Sequence, residues 1–297
     1  MYEIDYRALG YFVGIFLGGL LRGAIIFIPL ERFLPLKREQ KVFRSGLLTD
    51  IVHFGVNTIV IQYFIVQAVL VASSYWFAKL LSLLAGIGFP YLGISLHFLQ
   101  NFVSKQHYLV QFFIALVIGD LIFYTYHRAA HNNKYLWKLH AIHHSTVELD
   151  WLAAYRFHPV EQMITQSLNA IAISILGLDP SQSLLLGLLS STADPLAHAN
   201  TKLRFGPLKW VFINPEFHHW HHSTERQAFN KNFAGRLPVL DLIFGTAYLG
   251  PAPATSFGIE DPVPTSYLKQ LFYPLMKRQR KVSDEVMVAS TESVSSK

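Results

Sequence analysis

The chain has no cysteine in 297 residues. That single absence excludes disulfides, thiolate-ligated haem, iron–sulfur clusters and thiolate zinc sites together. Charge is scarce as well. Charged residues make up 15% of the chain, against about 25% in an ordinary soluble domain. Basic residues exceed acidic ones by 6, but they form no interleaved stripe, which excludes a nucleic-acid binder. No Gly-x-Gly-x-x-Gly follows a strand pattern, so no nicotinamide or flavin domain is encoded. His-Glu-x-x-His is missing too. What is present is apolar bulk and imidazole. Hydrophobic residues reach 52%, phenylalanine occurs 23 times and histidine 14 times. Eleven of those histidines lie between His127 and His222.

A helical membrane span needs about 20 apolar residues. Candidates run over 8–30, 51–84 and 108–126, with a shorter pair at 163–178 and 183–193 split by Asp179-Pro180. The first starts too late and runs too long for a signal peptide, and no small-residue cleavage site follows it. The expectation is an all-α membrane bundle of about four to five membrane segments, with a cytoplasmic, helical, histidine-rich cap. Basic residues set the orientation. Residues 31–50 hold Arg32, Lys37, Arg38, Lys41 and Arg44, whereas 85–107 hold only Lys105. The first loop is thus read as cytoplasmic, and the third span returns His127 to that side. The run Lys277-Arg278-Gln279-Arg280-Lys281 agrees, and is read as a solvated anchor before a disordered tail. Three regions follow: spans and exterior loop over 1–107, a catalytic unit over 108–250, and a basic tail over 251–297. Gly10, Gly14 and Gly18 repeat every fourth residue, joined by Gly19 and Gly23. They are read as packing against the protein's own helices in preference to a dimer face.

The histidines carry the chemistry. Residues four apart on a helix share a face. His127 and His131 form one such pair; His140, His143 and His144 stand at i, i+3 and i+4; His218, His221 and His222 repeat that arrangement 78 residues later. Eight imidazoles exceed the needs of one metal and suit two, each with an open position. Imidazole without thiolate suits iron, copper, zinc or nickel, and ligand type alone does not choose. Apolar-flanked triplets would repel one another if protonated, which argues for a cation among them. His198 joins the candidates. Asp194, one turn before it, is read as a ligand or as a carboxylate that orients one. His158, held out of helix by Pro159, and His219, about 100° from His218, are weaker candidates. His53, His97 and His107 are read as bystanders. A single Glu-x-x-His, Glu216 to His219, rejects the carboxylate-rich di-iron architecture.

The boxes His127-x-x-x-His131, His140-x-x-His143-His144 and His218-x-x-His221-His222 resemble those of the fatty acid hydroxylase/sterol desaturase superfamily. Trp137-Lys-Leu-His140, His198-Ala-Asn200 and Asp241-Leu-Ile-Phe-Gly-Thr246 are similar to that family as well. The resemblance covers roughly residues 115–250. It implies an integral membrane enzyme holding two iron ions, using O2 and two electrons to hydroxylate or desaturate a lipid: sterol, fatty acyl chain, alkylglycerol or a relative of these. It carries metal ligation onto His127, His131, His140, His143, His144, His218, His221 and His222, with His198 from the intervening helix. Some relatives have a further His-x-x-x-His before the third box, and here Asp194 stands in its first place. No cytochrome b5-like domain is fused, so a separate donor, cytochrome b5-like or ferredoxin-type, is expected. The C-terminus shows no dilysine retrieval signal, which favours a bacterial inner membrane over endoplasmic reticulum. Two other readings stay open: a di-zinc membrane hydrolase, and a metal-binding or transport protein without chemistry.

Overall fold

Helix follows helix along the chain in a computed structural model that describes residues 6–86 and 90–276. Among the described residues there is no strand, only two isolated bridges. The opening helix α1 (Tyr6–Phe33) leads to α2 (Leu47–Gly55), which continues through a π-helical stretch (Val56–Ile65) into α3 (Val66–Gly86). Then come α4 (Pro90–Ser104) and α5 (Tyr108–Asn132). Among the described residues two stretches are long and apolar enough to cross a membrane, Phe12–Phe33 and Tyr108–Asn132. Their length of 22 and 25 residues matches the hydrocarbon thickness at 1.5 Å per residue.

The second half builds the site from shorter pieces, several of them begun by a capping side chain. Asn133 breaks α5 from α6 (Lys134–His144) and accepts from the Tyr135 and Leu136 amides. Asp150 caps the 3-10 turn Trp151–Tyr155. His158 caps α7 (Pro159–Ile175), whose first residue is a proline suited to that place. Next stand α8 (Ser181–His198) and α9 (Pro215–His221), the latter capped by Asn214. Short helices α10 (Val239–Ile243) and α11 (Tyr267–Phe272) close the chain.

Buried charge ties the loops to this frame. Arg44 grips Asp150 through Nε at 2.6 Å and Asp50 through Nη2 at 2.6 Å, and Arg156 Nε donates to Asp50 at 2.5 Å. Glu31 accepts from both the Trp151 and Asn200 amides. Residues 251–276, assigned to the tail by the sequence reading, pack on the bundle instead. Trp137 Nε1 donates to Asp261, Lys138 Nζ to the Pro274 carbonyl, and His53 meets Gln270 at 2.7 Å. Polar pairs of this kind leave no hydrophobic period, which is why the segment reads as tail. The basic run over 277–281 and the tail behind it lie outside the described residues.

The glycine repeat divides. A Cβ added at Gly10, Gly14 or Gly18 would meet nothing within 4 Å, whereas Gly19 faces Phe54 and Gly23 faces the Trp151 ring. Self-packing therefore holds for the last two and fails for the first three. Gly14 and Gly18 instead border a cavity between α1 and α8.

Candidate metal centre

Nine histidines converge in the interior as two groups. One holds His127 and His131 from the end of α5, His140 and His144 from α6, and His221 from α9; the other holds His143, His198, His218 and His222. Within each group one nitrogen per residue lies within 4.8 Å of all the others. The i, i+3, i+4 spacing explains the division. On α6, His140 and His144 face one group while His143, 100° round the helix, faces the other. On α9, His221 joins the first and His218 the second. The two groups share both helices and touch: the His144 and His222 rings stack at 4.4 Å.

Hydrogen bonds on the outer nitrogens fix where the inner ones point. His127 Nδ1 donates to the Phe233 carbonyl at 2.7 Å, His198 Nδ1 to the Asp194 carbonyl at 2.8 Å and His221 Nδ1 to the Lys231 carbonyl at 2.8 Å. A carbonyl only accepts, so each of these rings turns an Nε2 lone pair inward. His140 Nδ1 donates to Glu161 Oε1 at 2.7 Å. Within the first group, His140 Nε2 lies 3.0 Å from both His127 Nε2 and His144 Nε2. Within the second, Nε2 separations run from 3.0 to 3.2 Å along His143–His198–His218–His222. Such a separation is the edge of a ligand shell with metal–nitrogen bonds of about 2.1 Å. The buried Nε2 atoms of His131 and His221 have no partner at all, nor do the Nδ1 atoms of His143, His218 and His222. Orphaned buried nitrogens and facing lone pairs are costly unless a cation sits among them. The residues fit a pair of metal ions.

Electrostatics points the same way. Burial, reinforced by neighbouring imidazoles, holds His140, His143, His144, His218 and His222 well below the usual histidine range. Burial pushes His198 down to about 3 and His221 to about 4. Neutral rings are what a metal requires. Burial also lifts the Glu161 carboxyl well above its ordinary value.

The weaker candidates stand outside both groups. His158 spends Nδ1 on the Val160 amide and faces the Leu271 carbonyl through Nε2. His219 turns its Nε2 to the Ala199 carbonyl at 3.1 Å, and burial brings it to about 4. Asp194 offers His198 its backbone carbonyl and is also one of the residues that line the cavity. His53 bonds Phe157 and Gln270, His107 caps α5, and His97 lies exposed on α4.

Sequence reasoning named the Asp241 segment only as a resemblance and missed the other groups that hold the ligands. Glu161 sits two residues beyond the quoted His158-Pro159, with no spacing to announce it. Asp241 accepts from the Phe233 and Ala234 amides, and Asp120 accepts from those of 235–237. Together they fix the loop whose carbonyl orients His127. Phe157 stacks flat on His143, 4.1 Å between centroids, and its ring also borders the cavity of about 530 Å³.

A helical frame that gathers nine imidazoles, eight of them buried, into two metal-sized groups defines a histidine-box protein. Residues 112–246, a little under half of the chain, match the fatty acid hydroxylase family model, so this segment is similar to that family. The chain is 29% identical over 257 residues to ornithine lipid hydroxylase OlsE of Rhizobium tropici, covering 86% of this chain and 74% of that one. It is 30% identical over 151 residues to sphingolipid C4-hydroxylase sur2 of Schizosaccharomyces pombe, half of each chain. Human alkylglycerol monooxygenase is 27% identical over 146 residues, 49% of this chain and 32% of that protein. The chain thus spans half or less of the latter two relatives. No solved structure matches it.

Proposed function

We propose that the chain is a membrane lipid hydroxylase with residues 108–250 as its catalytic unit. Its nine clustered histidines hold two iron ions at the cytoplasmic face of a bacterial inner membrane. The observation that carries this reading is the pair of buried imidazole groups inside a segment matched to the fatty acid hydroxylase family. The relatives' names, hydroxylases and a monooxygenase of lipids, favour hydroxylation over desaturation.

Bound there, the metal pair supplies O2 activation, using two electrons from a separate donor of the cytochrome b5-like or ferredoxin-type class. The chain's own residues do the rest. Backbone carbonyls fix the tautomers of His127, His198 and His221, and Glu161 that of His140, so that their inner nitrogens stay unprotonated. Asp120 and Asp241 hold the loop behind His127. Phe157 separates the cavity from His143, so a substrate chain meets the centre across one aromatic wall. The net change is lipid C–H plus O2, two electrons and two protons giving lipid C–OH and water.

The test is anaerobic purification with iron reconstitution, followed by metal analysis and O2 uptake with a reductant and lipid extract. The expected result is about two irons per chain and lipid-dependent uptake. Less than one iron, or activity with zinc in the absence of O2, overturns the reading.

A further inference from the structure

The cavity beside the centre has polar residues along its whole length, and its charged residues, Arg22, Asp194 and Arg236, gather toward the histidines. Its walls are α1, the π-helical stretch, α7 and α8. On α8 the lining runs from Ser183 to Asp194, eleven residues or about 16 Å of helix, and ends one turn short of His198. On α7 it runs from Ile173 back to Gln162, the residue after Glu161. At the metal end stand Asp194, Gln162, Asn57 and Arg22; at the far end stand Ile15, Leu184 and the open Gly14. A hydrocarbon tail entering first would place methylenes against the charged end and leave those groups unpaired.

Two opposite charges sit at that end without meeting. Arg22 interrupts an otherwise apolar stretch of α1, and an ionisable residue at such a place marks a functional site. Its Nη2 reaches the Ser191 carbonyl only at 3.5 Å. Ser191 is three residues before Asp194 on α8, so the guanidinium reaches from α1 to the part of α8 that carries the carboxylate. Neither is spent on the other. The remaining arginine in the lining, Arg236, bonds Ser190 through Nε and Nη2 and lies 3.9 Å from Asp120, and its charge also acts on Asp194 without an ion pair. Asp194's carboxylate has no hydrogen bond or ion pair among the described residues.

We infer that this end of the cavity receives a zwitterionic, amino-acid-like lipid head, its ammonium on Asp194 and its anionic group on Arg22. The inference rests on the lipid-hydroxylase reading and deepens it. The head enters first, the hydrocarbon trails past Gly14 and Gly18 through the gap between α1 and α8, and the C–H bond brought to the metals belongs to the head or the carbons next to it. The gap is open because those glycines present no side chain to close it.

The test is binding to metal-free full-length protein in detergent, read by calorimetry, so that it stands apart from any failure of the iron chemistry. The probes are Nα-lauroyl-ornithine, which carries a carboxylate and an ammonium, its Nδ-acetyl derivative, and lauric acid. Wild type is expected to bind the first roughly ten- to a hundredfold tighter than the second, the usual effect of a buried charge-assisted hydrogen bond. Asp194→Asn should erase that preference while keeping affinity for the acetylated probe. Arg22→Gln should weaken both acyl-ornithine probes together. Equal binding of the first two probes by wild type, or lauric acid binding as tightly as the zwitterion, overturns the proposal without any variant. So does a preference that survives in Asp194→Asn.

Discussion

Of the eleven histidines between positions 127 and 222, nine differ from the other two in one respect: each turns a nitrogen into one of the two shared groups. His158 turns none there, since both ring nitrogens are engaged by backbone. His158→Ala should therefore cost about 1 kcal/mol of stability as a lost helix cap, read as a lower melting temperature of the metal-free protein, with metal content unchanged. His143→Ala should instead lower metal content while leaving the fold of the metal-free protein intact. Equal metal loss in both variants would reject the division between ligands and bystanders. Glu161 gives a finer contrast. It holds His140 from behind, and removal of such a partner usually costs ten- to a hundredfold in metal affinity. Glu161→Ala should lose about that much in a chelator competition, and Glu161→Gln, whose amide oxygen still accepts, markedly less.

At the level of elements, the helices that carry boxes were legible because box and helix have the same period. His140, His143 and His144 announce α6, and His218, His221 and His222 announce α9. The long apolar spans announce α1 and α5. What was not legible is whatever depends on partners remote in sequence. Nothing at Asp120 reveals that it will accept three amides from 235–237. Nothing at Arg44 foretells a buried network with Asp50, Asp150 and Arg156; it was counted as one of several loop cations. The π-helical stretch of 56–65 has the composition of an ordinary helix, and what it does is hold Asn57 against the Tyr155 and Phe157 carbonyls. The glycine repeat misled for the opposite reason: its spacing describes a close helix contact, but three of its members border open space. Arg44→Ala is the prediction at this scale. It strands the buried Asp150 and leaves Asp50 to Arg156 alone, and should cost about 3–5 kcal/mol, read as a large drop in melting temperature. Arg44→Lys, with one donor group for two acids, should recover only part of it.

Across the whole molecule the buried imidazoles make the metal-free protein sensitive to acid. In the unfolded chain a histidine binds its proton near pH 6.5. In the folded chain burial delays that step to about 3 at His198 and about 4 at His219 and His221. Between those values the unfolded state holds more protons, so stability falls as pH falls from about 6.5 toward 4, by about 1.4 kcal/mol per pH unit for each such histidine. Melting temperatures of metal-free protein should drop steeply over that window and level off above pH 7; a flat profile would contradict the burial. The absence of cysteine then serves the last question, which face of the membrane the centre occupies. The natural chain is already a thiol-free background, so a single cysteine reports alone. Lys41 and Lys105 are both exposed and lie in the two loops whose basic content sets the orientation. With the centre on the cytoplasmic side, Lys41→Cys should resist a membrane-impermeant maleimide in intact cells and react after lysis, while Lys105→Cys should react from outside. The reverse pattern would turn the molecule over and put the electron donor on the other side. Labelling of both from outside would mean that α2 to α4 do not cross the bilayer between them.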